Sequence, residues 1–353
     1  MGSPERSVQP PLAPPSASVI PWGDERGAAT PLQAGRAGGP LAGGTRALSV
    51  ALYTHPDMLA HRPPAGHPER PERLEAVTGA LSDASDLRLD IREAPLIAPS
   101  DLALVHGRDY VETLEALEPA AGAQPLDPDT WLSRGSIAAA RRAAGAVVAA
   151  VRAVAAGEGE RAFCAVRPPG HHAGPDRAMG FCLYSNVAIG ARAAQAAGLG
   201  KVAVVDFDVH HGNGTQAVAL ADPALFFASV HQAPGWPGTG DPSERGVGNV
   251  ANATTPPYAP RPVWRAAFEG LMEKVEAFGP DLILVSAGFD AHARDPLAQQ
   301  LLEAEDYAWA TRAIVAAANS RSRGRVVSSL EGGYDLEALG RSALAHVRAL
   351  QGA

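Results

Sequence analysis

From residue 47 onward, short apolar runs alternate with longer segments whose apolar residues recur at helical spacing. The runs at 47–53 (ALSVALY), 161–166 (RAFCAV), 202–207 (VAVVDF), 224–230 (ALFFASV), 281–288 (DLILVSAG) and 325–332 (RVVSSLEG) are nearly continuous in Val, Leu, Ile, Phe and Ala. They lack the alternation of a half-exposed strand, as strands buried on both faces do. Segments 71–82, 107–118, 134–156, 184–198, 261–278, 304–319 and 335–351 read as amphipathic helices. Together they predict an α/β fold: a single domain, residues 47–353, with a parallel β-sheet sandwiched between helices. Residues 1–46 are rich in Pro, Gly, Ala and Ser with little periodic pattern, which predicts a disordered N-terminal extension.

In open α/β sheets, ligands bind beyond the carboxyl ends of the strands. Ionisable residues gather there: RPPGHHAGPDRAMGFC after 161–166, DVHHGNG after 202–207, FDAHARDP after 281–288, and EGGYD after 325–330. Strand alternation carried through DFDVHH would put Asp206, Asp208 and His210 on one side, and Phe207 and Val209 on the other. Two carboxylates and an imidazole converging on one point need a positive charge among them. A salt-bridged core network is one answer. A divalent cation is the other, because Asp and His donors at about 2.0–2.2 Å suit zinc and leave a position open. Asp206 would then orient a neighbour, and Asp290 would supply a carboxylate from the next strand end. His171 and His172 are either structural or, beside a metal site, proton-transfer groups, since imidazole titrates near neutral pH; each would need a partner on its far nitrogen, for which Asp206 and Asn213 are candidates. Gly332 and Gly333 allow close backbone approach, so Tyr334 is either a packing residue or a phenol aimed at an oxyanion.

Composition mainly excludes. With 353 residues, 46% of them hydrophobic, the chain can bury a large core. The net charge of −8 and the absence of a basic stripe argue against direct nucleic-acid binding. No apolar run is long enough for a membrane span and no secretory signal pattern opens the chain, so a cytoplasmic setting is expected. Two cysteines, Cys164 and Cys182, provide neither a disulfide framework nor a C-x-x-C knuckle.

In order along the chain stand HPERPERL (67–74), RPPGHHA (167–173), GFCLYSNVAIGA (180–191), VDFDVHHGNGTQ (205–216), GWPGTGD (235–241), SAGFDAH (286–292) and LEGGYD (330–335). This series resembles the zinc-dependent histone deacetylase family, closer to its class II and bacterial amidohydrolase branch, over about residues 47–351. The resemblance implies the arginase/deacetylase fold and hydrolysis of acetyl or similar acyl groups from lysine side chains or related amines. Asp208, His210 and Asp290 would bind one Zn2+ (Fe2+ remaining open). His172 would act as general base and then acid, assisted by His171 on Asp206, and Tyr334 would stabilise the oxyanion. Gly180, Phe181, Trp236 and Leu297, with Gly332 and Gly333, would form a substrate tunnel. Asp129 or Thr130 would meet the substrate backbone, and Arg73 would stand near an acetate exit. A structural K+ would involve Asp206, Asp208, His210, Ser229 and Val230. Asn213 stands where class I members carry aspartate, and should leave His172 less basic. Trp236 stands where phenylalanine is usual, and should reshape the tunnel mouth.

The implied partner is an acylated lysine or acylated amine, with no nucleic acid and no membrane, and a homo-oligomer left open. An acetylpolyamine deacetylase of the same fold is the alternative. Its acidic gatekeeper would fall at Leu297, which favours acyl-lysine. A dimanganese ureohydrolase would need more carboxylates than DFDVHH supplies. A non-catalytic acyl-lysine reader fits poorly with a full set of ligands, histidines and Tyr334.

Overall fold

The computed structural model describes residues 49–352, and the extension expected at 1–46 lies outside them. Among the described residues, ten strands and nine α-helices are formed: β1 (Val50–Thr54), α1 (Glu72–Ser82), β2 (Leu89–Glu93), α2 (Pro99–Leu102), α3 (Arg108–Ala116), β3 (Ala123–Pro125), β4 (Trp131–Ser133), α4 (Ser136–Ala156), β5 (Arg161–Cys164), α5 (Asn186–Ala196), β6 (Val202–Asp206), α6 (Asn213–Ala219), β7 (Leu225–Gln232), β8 (Val250–Thr255), α7 (Arg261–Phe278), β9 (Leu282–Ala287), α8 (Ala304–Arg321), β10 (Val326–Leu330) and α9 (Leu336–Gln351). Eight strands make one sheet in the order β2-β1-β5-β10-β9-β6-β7-β8. Every pairing within it is parallel.

All six apolar runs become strands. Every residue of β5, β6, β7, β9 and β10 is buried, as their continuous apolar character requires. Four strands were not expected: β3 and β4, which form a separate antiparallel pair, and β2 and β8 of the main sheet. The latter two lie at sheet edges, and LDIRE and VANATT are polar enough to read as loops. Helices α4 and α5 cover one face. On the other, α1, α9, α8 and α7 pack in a row. Among the described residues, no helix is long and apolar enough to cross a membrane.

The four central strands β5, β10, β9 and β6 all point their carboxyl ends the same way. Consequently the segments after them, which carry the histidines, aspartates and Tyr334, meet at one rim.

Candidate active site

β6 ends at Asp206, and the chain then leaves the strand by carboxylate-to-backbone turns. The Asp208 N–H donates to Asp206 Oδ1 (3.1 Å), and the His210 N–H donates to Asp208 Oδ1 (2.9 Å). Such local bonds compete with the strand ladder. The alternation expected through His210 therefore stops at Asp206, and these turns bring the side chains to the rim. Asp290 arrives from just beyond β9 and accepts the Val209 N–H at 2.9 Å, which fastens the two segments together.

Asp208, His210 and Asp290 each offer one ligand atom, all within 4.8 Å of one another. His210 Nδ1 lies 3.2 Å from Asp208 Oδ1 and 3.1 Å from Asp290 Oδ2. A single ring nitrogen carries at most one proton, so it cannot serve both carboxylates well. Burial and then the Asp208 charge push the Asp290 carboxyl above its ordinary value. Burial opposes charge on Asp208 too, but His171 and His210 outweigh it and hold that carboxyl down. Two buried carboxylates and an imidazole with oxygen and nitrogen donors turned to one point fit a divalent cation of the zinc class. Gly332 is required here: a Cβ would stand 2.6 Å from Asp208 Oδ2 and closer still to Asp290, where instead the Gly332 N–H donates to Asp208 Oδ2 at 2.9 Å.

The adjacent histidines follow β5, and the backbone N–H groups of Gly170 (2.6 Å) and His171 (3.2 Å) donate to Glu331 Oε2. Their rings lie 3.9 Å apart, yet their environments differ. His171 Nδ1 is 3.0 Å from Asp206 Oδ2. Burial disfavours its charge, but Asp208 and Asp206 prevail and raise its pKa to about 10. His172 Nδ1 is 2.8 Å from the neutral Asn213 Oδ1. Burial and the neighbouring His171 charge hold His172 well below its ordinary value. One imidazole is thus kept protonated and the other neutral. Both pairings join the residues singled out in the sequence.

His172 opens into a cavity of about 200 Å3, lined also by Asp129, Gly180, Phe181, His210, Trp236, Leu297 and Tyr334. Trp236 meets His172 edge-on, with ring centroids 4.6 Å apart, and Phe181 meets Tyr334 likewise at 5.7 Å. Gly180 and Phe181 both have positive φ (57° and 67°). A Cβ on Gly180 would stand 2.5 Å from both the His172 ring and Trp236. Phe181 is held in the left-handed region at a cost of about 1–3 kcal/mol, as backbones at working sites often are. The Tyr334 phenol is buried, which pushes it well above its ordinary pKa and keeps it an O–H donor.

Thr130 does not reach this cavity. It is fully buried, receives the Phe181 N–H on its hydroxyl (3.1 Å) and donates to Asp129 (3.0 Å), so it braces the wall and leaves Asp129 to face the opening. Arg73 is also fully buried: its Nε donates to Gly333 O (2.6 Å), Nη2 donates to Glu331 O, and the guanidinium lies 4.8 Å from the Tyr334 ring centre. Ser229 sits opposite Asp206 in the β6–β7 register, and Val230 is buried beside it.

Four supporting groups escaped the sequence reading, although three of them, Glu69, Arg167 and Glu331, lie inside the motifs that carry the resemblance. Glu69 of HPERPERL is gripped by Arg167 through two 2.7 Å bonds, fully buried behind the site. Glu331 of LEGGYD carries the backbone of the paired histidines, and burial pushes its carboxyl up to about 7. Asp295 accepts the backbone N–H of Tyr334. A charged residue in a motif gives no sign from sequence that its partner is a backbone amide or a distant arginine.

The histone deacetylase domain family matches residues 67–350. The chain is 41% identical over 284 residues to a histone deacetylase-like amidohydrolase of Pseudomonas aeruginosa, covering 77% of this chain and 74% of that protein. It is 36% identical over 298 residues to a probable deacetylase of Archaeoglobus fulgidus, covering 82% of each. The solved HDA15 HD domain superposes with a TM-score of 0.82 at 34% identity, over 87% of this chain and 89% of that one. The sheet, the rim and these likenesses agree, and the chain belongs to the histone deacetylase family of deacetylases and amidohydrolases, with the arginase/deacetylase fold.

Proposed function

We propose that this chain is a zinc-dependent amidohydrolase that removes acetyl or similar acyl groups from lysine side chains or related amines. The observation that carries the reading is the single cavity where His172, His210, Trp236 and Tyr334 meet beside the Asp208–His210–Asp290 cluster. Zinc held by those three residues would supply Lewis acidity and bring water ionisation toward neutral pH.

The chain's own groups do the rest. His172, held neutral by burial and the His171 charge and donating its Nδ1–H to Asn213 Oδ1, offers its Nε2 to take a proton from the attacking water and to return it to the departing amine. His171, protonated and anchored on Asp206, places positive charge beside the developing oxyanion. Tyr334 donates its hydroxyl to that oxyanion. Phe181 and Trp236 present aromatic walls to a methylene chain, and Leu297 makes the rim apolar where a second ammonium would need a carboxylate. That favours acyl-lysine over acylpolyamine. A structural potassium ion at Asp206, Asp208, His210, Ser229 and Val230, and a cytoplasmic setting suited to two free buried cysteines, belong to the same reading.

Turnover of acetyl- and longer acyl-lysine peptides beside N-acetylputrescine, with metal analysis of the same sample, tests it. Tyr334→Phe should lower kcat by about 10²–10³-fold, with zinc retained. Undiminished turnover by that variant, or a strong preference for the polyamine, would overturn the corresponding part.

A further inference from the structure

The loop carrying Tyr334 is fastened at nearly every peptide. Gly332 N–H donates to Asp208 Oδ2, Phe289 N–H donates to Gly332 O (3.0 Å), and Arg73 holds Glu331 O and Gly333 O. None of these bonds touches the backbone of Tyr334 itself. That bond comes from Asp295, in the segment five residues beyond Asp290. Its Oδ2 accepts the Tyr334 N–H at 2.7 Å, and its Oδ1 accepts the Leu297 N–H at 3.0 Å. Asp295 is only 8% exposed, and its own N–H donates to His292 O at 2.9 Å, so the side chain has little freedom.

One buried carboxylate therefore joins two residues that line opposite functions of the same cavity: Tyr334, which faces the reacting carbonyl, and Leu297, which forms the mouth. A second tie runs between the same segments at the surface, from Arg294 to Asp335 (3.2 Å) and Glu337 (2.9 Å). Arg294 is about half exposed there, and exposed pairs contribute little. A carboxyl oxygen buried 2.7 Å from a backbone N–H, out of reach of competing water, makes a stronger bond. The inner tie, and not the outer one, has the strength to fix the phenol.

We propose that Asp295 is a positioning residue for catalysis, holding Tyr334 at its working distance and coupling it to the Leu297 side of the substrate entrance. This rests on the deacylase reading for its catalytic consequence, but the positioning itself has a readout free of substrate. A phenol that must donate to an oxyanion is sensitive to small displacement, because a shift of about 1 Å can cost about 10²-fold.

The experiment uses the zinc-loaded enzyme. Asp295→Ala should lower kcat by about 10–100-fold, while zinc content stays at one per chain. Asp295→Asn, whose single carbonyl can still accept the Tyr334 N–H, should recover part of that loss. In a Tyr334→Phe background, Asp295→Ala should cost less than about 3-fold, because the positioned hydroxyl is already gone. Arg294→Ala serves as control and should leave kcat within about 2-fold. Hydrogen exchange at the Tyr334 amide, read without substrate, should speed up in Asp295→Ala and not in Arg294→Ala. An equal loss of kcat in both backgrounds, or unchanged exchange at that amide, would overturn the proposal. Faster exchange in an enzyme that turns over no acylated amine would instead uphold the tie and overturn the deacylase reading.

Discussion

His346 on α9 is fully buried between two hydroxyls: its Nδ1 lies 2.6 Å from Thr311 Oγ1 and its Nε2 2.8 Å from Ser328 Oγ. Phe163, Phe207 and Phe289 surround the ring edge-on or tilted, with centroids 5.6–5.8 Å away. Burial with no anion to answer a positive charge lowers its pKa from 6.5 to about 3. A depressed folded-state value means the unfolded chain takes up the proton first. The stabilisation is complete above pH 6.5 and is lost as pH falls from there toward 3. Between pH 7 and pH 5 the loss from this one residue is about 2 kcal/mol. His346→Phe removes the titrating group while keeping an aromatic ring in place. The variant should be less stable at pH 7 by about 1–3 kcal/mol, because Ser328 Oγ loses its partner. Its further loss between pH 7 and pH 5 should nonetheless be smaller than the wild type's by about 2 kcal/mol. Urea unfolding at both pH values measures the two differences. Other buried histidines and the metal site titrate alike in both proteins and cancel. The same pH-dependent loss in both proteins would refute the assignment of a neutral, proton-refusing His346.

Other outcomes follow from the site. Gly332→Ala should abolish zinc retention, since its Cβ would enter the Asp208–Asp290 gap; metal analysis after gel filtration would show it. His172→Ala should abolish turnover while zinc content persists, because Asp208, His210 and Asp290 are untouched. Arg167→Met leaves the buried Glu69 without its bidentate partner and should cost about 3–5 kcal/mol in denaturant unfolding. Trp236→Ala removes the ring against His172 and widens the 200 Å3 cavity. It should therefore raise relative kcat/KM for acyl-lysines with bulkier acyl groups.

Much of this architecture was legible because buried parallel strands leave a strong mark. A run such as VAVVD has no other economical reading, and the rule that ligands gather past strand ends turned four of the six runs into one rim. The pairings of His171 with Asp206 and of His172 with Asn213 were accessible for the same reason, because the segments after β5 and β6 meet at that rim although β10 and β9 stand between the two strands. What stayed hidden were features with weak local signals. Strands β2 and β8 need only one neighbour each and tolerate polar residues, so their sequences look like loops. Asp295 lies in ARDP, where nothing indicates that its carboxylate reaches a backbone amide 39 residues onward. Thr130 looked like a surface contact because a hydroxyl is as easily a brace as a donor to substrate. Strand alternation through His210 was expected because side-chain capping of a strand end is not written in apolar periodicity.

The position of β10 has a consequence for how the protein is made. It follows the other nine strands of the described residues, yet it lies in the centre, between β5 and β9. Without it, the sheet order would leave β2, β1 and β5 on one side and β9, β6, β7 and β8 on the other, each with an apolar edge facing the missing strand. Glu331, Gly332 and Tyr334 follow that strand, so neither fragment can seat the paired histidines or close the cavity. Insertion of β10 and assembly of the site are therefore coupled. A chain cut short before residue 326 would have not a weakened site but two half-sheets with bare apolar edges.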